Sequence, residues 1–408
     1  MKVPIMKGFR KKKLVIITNG TLPVPASHGG AAEMLTQTFL DYNEIFLDFD
    51  ITIFTIGNKS TKNNGKSYAK TKFIVIQESE LNYKFGRFVR FALNRIARKK
   101  IPNQFLSRVL ARGSVLQEAD VVLISNNHYF ACHIAKHIGS KVPIILHLHN
   151  DYINARTGNH RSLAQINKVI AVSSYLMDRV KEVAPGKCKV TFVHNGINLS
   201  LFSEKNARKE ELITLKYGIK ECDFVLVYCG RVQKSKGVKF LLDAFIELSK
   251  QSENIKLLII GSTEYLNSRD DKFLSELKKT ALNSGRGKVI FTGFIENENL
   301  KDYFHISDLA IIPSAEVEAF GLTSVEAQAS GVPVVVTDSG GLGETVCSDS
   351  GFIISQNGDI RQQLIEAVDK FRESKSLRDK MTKGALNNSK RFSSECYYLN
   401  LRNEIIDA

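Results

Sequence analysis

Two carboxylates, Glu318 and Glu326, stand with seven residues between them in the stretch EAFGLTSVE (318–326). On one continuous helix they would lie ~80° apart, so helical periodicity gives them no common task, and Gly321 between them marks a turn instead. The apolar run LAIIPS ahead of them predicts a strand, 316–321 a loop, and 322–330 a helix ended by Gly331 and Pro333. The loop then carries Glu318 beyond the carboxyl end of a strand. The amides of Gly321, Leu322 and Thr323 open a helix whose partial positive charge suits a phosphate, and Glu326 follows one turn inside. A carboxylate at that inner position can accept both hydroxyls of a ribose, while one on the loop can accept two hydroxyls of a sugar beyond the phosphates. Either glutamate alone reads equally well as an ordinary charge; the array points to a nucleotide sugar.

Three other stretches carry candidate chemistry. In YCGRVQKSKG (228–237), Gly230 and Arg231 follow a strand directly, and Lys236 with Gly237 precedes a helical stretch. Two fixed cations there can neutralise charge growing on a diphosphate leaving group, or they are plain surface charges. Gly29 and Gly30 stand before another helical stretch, where glycines either let amides approach a phosphate or simply make a strand-to-helix turn; the spacing is not GxGxxG. HLHND (147–151) places His147 and His149 on one strand face. No third ligand stands at metal-binding spacing, so a hydrogen bond from His149 to a sugar hydroxyl or phosphate is the preferred reading over metal. The DFD at 48–50 precedes a strand rather than following one, and reads as a solvated helix-to-strand junction.

The elements that must position these residues are short apolar strands alternating with longer amphipathic stretches, the pattern of parallel β-α units. It occurs twice, as KLVIIT, DITIFTIG, KFIVI, DVVLIS, PIILHLHN, KVIAVS and KVTFVHNG, then as DFVLVYCGR, IKLLIIG, KVIFTGF, LAIIPS, VPVVVT and GFIIS. Polar residues 197–221 separate the two runs as a linker, and the Lys/Asn/Gly-rich stretch 57–72 reads as a mobile connection. The expectation is an α/β chain of two doubly wound, Rossmann-like domains, 1–205 and 206–388, with 389–408 as a further segment. Such sheets bind ligands at the carboxyl ends of their strands, where the candidate residues fall.

A length of 408 residues agrees with two cores. Six scattered cysteines lack metal-ligand spacing and read as reduced thiols. No apolar run is long enough to span a bilayer, and the basic N-terminus leads only into a short strand, so a cytoplasmic chain without a signal peptide is expected. The formal charge of +15 implies an anionic partner. Much of it lies in 84–112, which holds nine Lys or Arg and no acidic residue. Phe85, Phe88, Val89, Ala92, Leu93 and Ile96 recur there at helical spacing. Such a helix either lies on an anionic membrane at its cytoplasmic face or packs its stripe on the first domain.

Together these residues resemble the retaining glycosyltransferases of family 4 (the group 1 glycosyltransferases), through E-x7-E in EAFGLTSVE, GGAAE (29–33), HLHN (147–150), AVSSYL (171–176), VHNGIN (193–198), GR with KG (230–237), VIFTGF (289–294) and TDSGGLGE (337–344). Surface-polysaccharide and spore-coat members are the loosest part of the likeness. The resemblance implies the GT-B fold, with an N-terminal acceptor-side domain, a C-terminal nucleotide-sugar domain, and a C-terminal helix crossing back to the first. It implies that Arg231 and Lys236 hold the donor diphosphate, Glu326 the ribose and Glu318 the transferred sugar, with backbone of Phe320, Gly321, Leu322 and Thr323 around the phosphates. Asn195, Gly196, Gly230, Gly261 and Phe294 join the substrate-binding set with Gly29 and Gly30. His149 falls at the family's His-Asp position, where Asn150 replaces the Asp.

The implied activity is transfer, with retention, from a nucleoside diphosphate sugar, a UDP-sugar foremost, to an acceptor hydroxyl of a glycan or lipid-linked acceptor in surface glycan assembly. It requires no metal and no cofactor beyond the co-substrate. The rivals are a sugar-nucleotide epimerase of the same fold and a non-enzymatic protein binding nucleotide sugar or nucleic acid; no nucleic-acid-binding motif is present.

Overall fold

The computed structural model describes residues 11–26, 30–57, 59–77, 102–139, 141–250, 252–263 and 272–408. The chain divides into two compact units, Met1–Val193 with Tyr397–Ala408, and His194–Cys396. All thirteen strands expected from the sequence are present. The first unit holds β1 (Lys12–Ile17), β2 (Phe49–Ile56), β3 (Thr71–Ile76), β4 (Val121–Ser125), β5 (Ile144–Leu148), β6 (Lys168–Ala171) and β7 (Lys189–Phe192), in the order β3-β2-β1-β4-β5-β6-β7. The second holds β8 (Phe224–Cys229), β9 (Ile255–Ile260), β10 (Lys288–Gly293), β11 (Leu309–Ile312), β12 (Val334–Thr337) and β13 (Gly351–Ile354), in the order β10-β9-β8-β11-β12-β13. Every pairing is parallel. These are the two Rossmann-like sheets of the expected fold class.

Continuous apolar strands fit because both faces of each sheet are covered. In β1, Val15 and Ile17 enter one core with Val122, Ile124, Leu146 and Leu148, while Leu14 and Ile16 enter the other with Ile51, Ile53 and Leu123. The second sheet repeats the pattern, with Leu226, Leu257, Ile259 and Ile311 in a core closed by the helices Val238–Ser249 and Ile360–Glu373.

The helix Ser394–Ile406 completes the second core of the first unit. Tyr398 packs against Phe39, Tyr42 and Phe46 at centroid distances of 5.1, 5.8 and 5.3 Å. Its hydroxyl donates to Asp48 at 2.8 Å, and Arg402 lies 2.6 Å from the same carboxylate. Asp48 is therefore an anchor for this helix rather than part of a solvated junction. Lys168, buried beneath, pairs with Glu404 at 2.6 Å.

Two other readings are corrected. Within 57–72, residues 59–72 form an ordered connection with the helix Lys59–Gly65, and Glu44 accepts from the amides of Ala69 and Lys70 and from the Thr71 hydroxyl at 2.9–3.0 Å. The polar stretch 197–221 holds the helices Leu199–Ser203 and Ala207–Tyr217. Both belong to the second unit, as do all residues from His194 on to Cys396. The first buries Phe202, Lys301 pairs with Glu204 at 2.7 Å just beyond it, and Glu210 of the second lies 3.3 Å from His305. All six cysteines are free. Among the described residues no helix is long and apolar enough to cross a membrane. Of the basic segment 84–112, residues 84–101 lie outside the described residues. The remainder includes the helix Gln104–Leu110, which buries Phe105, Leu106 and Val109.

Asn43 is fully buried and brackets the start of β2, donating to the Phe49 carbonyl at 3.1 Å and accepting from its amide at 3.0 Å. Replacing it with alanine orphans both backbone groups, so Asn43→Ala should destabilise the first unit by about 2–4 kcal/mol. Asp50→Ala, at an exposed position in the same strand, should stay within about 0.5 kcal/mol. Denaturant midpoints of the two variants check this.

Candidate functional site

In the second sheet the strand order reverses between β8 and β11, the point at which doubly wound sheets open a ligand crevice. The segments leaving these two strands carry Gly230, Arg231 and Lys236 on one side and Ser314 to Gly321 on the other. They are stitched together by backbone: the amides of Ala315 and Glu316 both donate to the Ser235 carbonyl, at 2.9 and 3.1 Å. Gly237 is required at this seam, since a Cβ there would sit 1.8 Å from the Pro313 carbonyl oxygen. Gly261, at the end of β9, is forced in the same way: its φ is +130° and a Cβ would fall 1.9 Å from the Gly230 carbonyl oxygen. Gly230 and Gly261 thus fix the turn that presents Arg231, whose carbonyl accepts from the buried Tyr228 hydroxyl at 2.6 Å.

The helix Leu322–Ala329 starts at Gly321, whose φ of 105° is left-handed. Glu318 precedes it on a loop clamped by the turn after β12. Its amide donates to Ser339 Oγ at 3.2 Å, its carbonyl accepts from the Gly341 amide at 2.8 Å, and Ser339 Oγ donates to the Glu316 carbonyl. The Glu318 carboxylate pairs with Lys236 Nζ and accepts from Ser314 Oγ at 3.3 Å. This ion pair joins two residues assigned separate tasks in the sequence, and both side chains keep about a fifth of their surface exposed.

Glu326 is 8% exposed, and burial pushes its carboxyl up to about 7; the same charge and burial push the neighbouring Cys229 thiol up. The Phe320 ring is buried in a cluster with His194 at 5.5 Å and Phe392 at 5.6 Å, which leaves little but its backbone for a ligand. Asn195 and Gly196 are buried beside this cluster in sequence, and Asn195 Oδ1 has no hydrogen-bond partner among the described residues. Phe294, just past β10, is half-exposed.

Sequence reasoning missed the support beneath the loop. Gln328 donates to Thr345 O at 2.9 Å, Asn388 donates to Gln328 Oε1 at 2.7 Å, and Thr345 donates to Ser324 Oγ at 2.8 Å, all buried. His194 Nε2 meets Glu344 at 2.8 Å on the same turn. The available signal was Ser324 and Gln328, polar residues one helical turn apart on the helix Leu322–Ala329.

In the first unit, Gly29 lies outside the described residues and Gly30 opens the helix Ala31–Phe46 with φ 97°. A Cβ on Gly30 would stand 2.4 Å from Glu33 Oε2, because the Glu33 carboxylate folds back over this helix end. Burial raises the Glu33 carboxyl, and hydrogen bonds from its own amide and from Asn19 oppose the rise. The helix end therefore already faces a carboxylate. His149 leaves β5 with its amide held by Asn126 Oδ1 at 3.0 Å. Its ring is buried 4.2 Å from that of His147, both its nitrogens lack hydrogen-bond partners among the described residues, and burial lowers it to about 4. No group of three or more His, Cys, Asp or Glu able to hold a metal occurs among the described residues.

Residues 48–201 match the family model described as Glycosyltransferase Family 4, and residues 209–388 the model described as Glycosyl transferases group 1. The protein YtcC of Bacillus subtilis is 23% identical over 91% of this chain and 86% of its own length. Lipopolysaccharide 1,2-N-acetylglucosaminetransferase of Salmonella typhimurium is 27% identical over 60% of this chain and 62% of its own. Among solved structures, Anabaena HepE in complex with UDP and glucose superposes with a TM-score of 0.70 at 18% identity, covering 97% of this chain and all of that one.

Because the Glu326 carboxyl is raised from 4.5 to about 7, folding takes up a proton between those pH values. Its contribution is fully present below pH 4.5 and is lost as the pH rises through 7. At about 1.4 kcal/mol per pH unit, this withholds about 3 kcal/mol at pH 8 relative to pH 4.5. Glu326→Gln should flatten that part of the stability profile between pH 5 and 8, measured by denaturant titration at each pH.

Proposed function

Because the chain belongs to the family 4, group 1 glycosyltransferases and has their GT-B fold, we propose that it transfers a hexosyl unit from a UDP-sugar to an acceptor hydroxyl, with retention, during surface glycan assembly. The observation that carries this reading is the convergence of Arg231, Lys236, Glu318 and the helix from Leu322 at the switch point of the second sheet. The nature of two similar proteins supports the donor and setting: one is held in complex with UDP and glucose, and the other is named for lipopolysaccharide.

In this reading the diphosphate lies between Arg231, Lys236 and the first amides of the Leu322 helix, and Glu326 accepts the ribose hydroxyls. Those hydroxyls give the carboxylate the donors it lacks in a desolvated site, so nucleotide binding favours its ionised form. Glu318 accepts hydroxyls of the transferred sugar, held in place by Lys236. The bond from the anomeric carbon to the leaving diphosphate breaks, the bond to the acceptor oxygen forms on the same face, and the acceptor proton passes to a diphosphate oxygen. Arg231 and Lys236 stabilise the charge that grows there, which removes the need for a metal. His149 is the first unit's candidate for a hydrogen bond to a sugar hydroxyl. Peripheral attachment through 84–112 would bring a lipid-linked acceptor within reach.

Incubation with UDP-sugars and glycan acceptors, followed by NMR of the new anomeric centre, tests the reading: an α-donor should give an α-glycoside, in EDTA as without it. An inverted product removes retention, and epimerised free sugar from donor alone would favour the epimerase. Arg231→Ala and Lys236→Ala should each lower kcat at least about 100-fold and by more than they raise the donor KM, since the charge on the leaving diphosphate grows toward the transition state. A change confined to KM would make them ground-state binders.

A further inference from the structure

Two tyrosine rings stand exposed at the carboxyl ends of β4 and β5 of the first unit, Tyr129 at 41% and Tyr152 at 48%. Neither is loose. The Asn159 side chain joins them, accepting from the Tyr129 hydroxyl at 2.7 Å and donating to the Tyr152 carbonyl at 2.8 Å. Thr157 Oγ1 donates to the same carbonyl at 2.9 Å. Beneath the loop, Asn154 is fully buried; its Oδ1 accepts from the amides of Arg156 and Thr157 at 3.0 Å, and its amide donates to Asp151 Oδ1 at 2.9 Å. Asp151 Oδ2 in turn accepts from Arg179 at 3.1 Å. On the other side the Tyr129 ring is set against the buried His128 ring, centroids 3.9 Å apart, and His128 Nδ1 is fixed by Ser162 Oγ at 2.9 Å.

A surface connection has no need of a buried Asn and a chain of side-chain bonds to fix one exposed phenol and the main chain of a second tyrosine. Exposed aromatic faces framed by amides are what a pyranose ring takes: its C–H face stacks on the ring and its hydroxyls bond to the amides and phenols. Further hydrogen-bonding capacity lies at the end of the same strand, three residues before Tyr152. There the buried ring nitrogens of His149 have no partner among the described residues.

We propose that Tyr129 and Tyr152, bridged by Asn159, form a stacking platform for a pyranosyl residue of the acceptor. The proposal rests on the transferase reading and specifies its acceptor as a carbohydrate, bound by the first unit independently of the donor nucleotide.

Saturation-transfer NMR on the full chain tests this with methyl α- and β-glycosides of glucose, galactose, mannose and N-acetylglucosamine, and with UDP-glucose as a separate probe. At least one glycoside should receive saturation, and its signal should fall about fivefold or more in Tyr129→Ala and in Tyr152→Ala while persisting in Tyr152→Phe, which keeps the ring. The UDP-glucose signal should not change in any of these variants. A measurement on the unaltered chain guards against a misfolded variant: the same glycoside should slow nitration of Tyr129 and Tyr152 by tetranitromethane, located by peptide mapping. Absence of transfer to every glycoside, or equal transfer to wild type and both alanine variants, overturns the platform. So does nitration at an unchanged rate. A wild-type chain that binds a glycoside and not UDP-glucose would instead count against the proposed donor.

Discussion

The geometry of the second unit depends on the backbone of Glu318. Its amide and carbonyl are both engaged by the Ser339–Gly341 turn, and Gly340 packs so closely that a Cβ there would stand 2.4 Å from the Glu318 carbonyl oxygen. No side chain fits at position 340, and Ser339 Oγ bonds across the seam, so the loop after β11 and the turn after β12 are held as one. That turn is pinned from below by the Ser324, Gln328, Thr345 and Asn388 network and from the side by His194 and Glu344. A buried polar network of this kind is costly when half-made and stiff when complete. Here it gives a loop exposing a carboxylate the rigidity of the core beneath it.

The two glutamates of the loop and helix are held in opposite electrostatic conditions. Glu318 faces a cation and keeps contact with solvent, whereas Glu326 is desolvated and its carboxyl is raised to about 7. The first has a cation beside it; charge on the second is opposed by desolvation. The same principle separates the histidines of the first unit from ordinary core residues. His128 has a hydroxyl partner, while the buried His149 ring has no hydrogen-bond partner among the described residues.

At the start of the helix Ala31–Phe46, the Gly-rich turn resembles a phosphate loop in sequence, yet a carboxylate three residues on folds back over it. Helix ends attract whichever anion is nearest, and a residue in the first turn needs no binding step to reach one. The helix from Leu322 has no acidic residue in its first turn.

The strands, their number and their parallel class were legible in the sequence, because burial on both sheet faces demands uninterrupted apolar runs and little else yields them. So was the placement of Gly230 and Arg231 directly after β8 and of Glu318 and Gly321 on the loop between β11 and the next helix, since the end of an apolar run marks the end of a strand. Local pattern could not show what depends on partners far along the chain. The Lys/Asn-rich stretch 57–72 looked mobile because Glu44, which orders it, lies on the preceding helix; Asp48 looked solvated because Tyr398 and Arg402 are some 350 residues away. Lys236 and Glu318 were read as independent charges until the fold closed the 82 residues between them, and the polar groups that brace the loop come from three separate segments. Periodicity reports which face of an element is buried, whereas hydrogen bonds and ion pairs are settled only when tertiary packing brings donor and acceptor to within 3 Å or so.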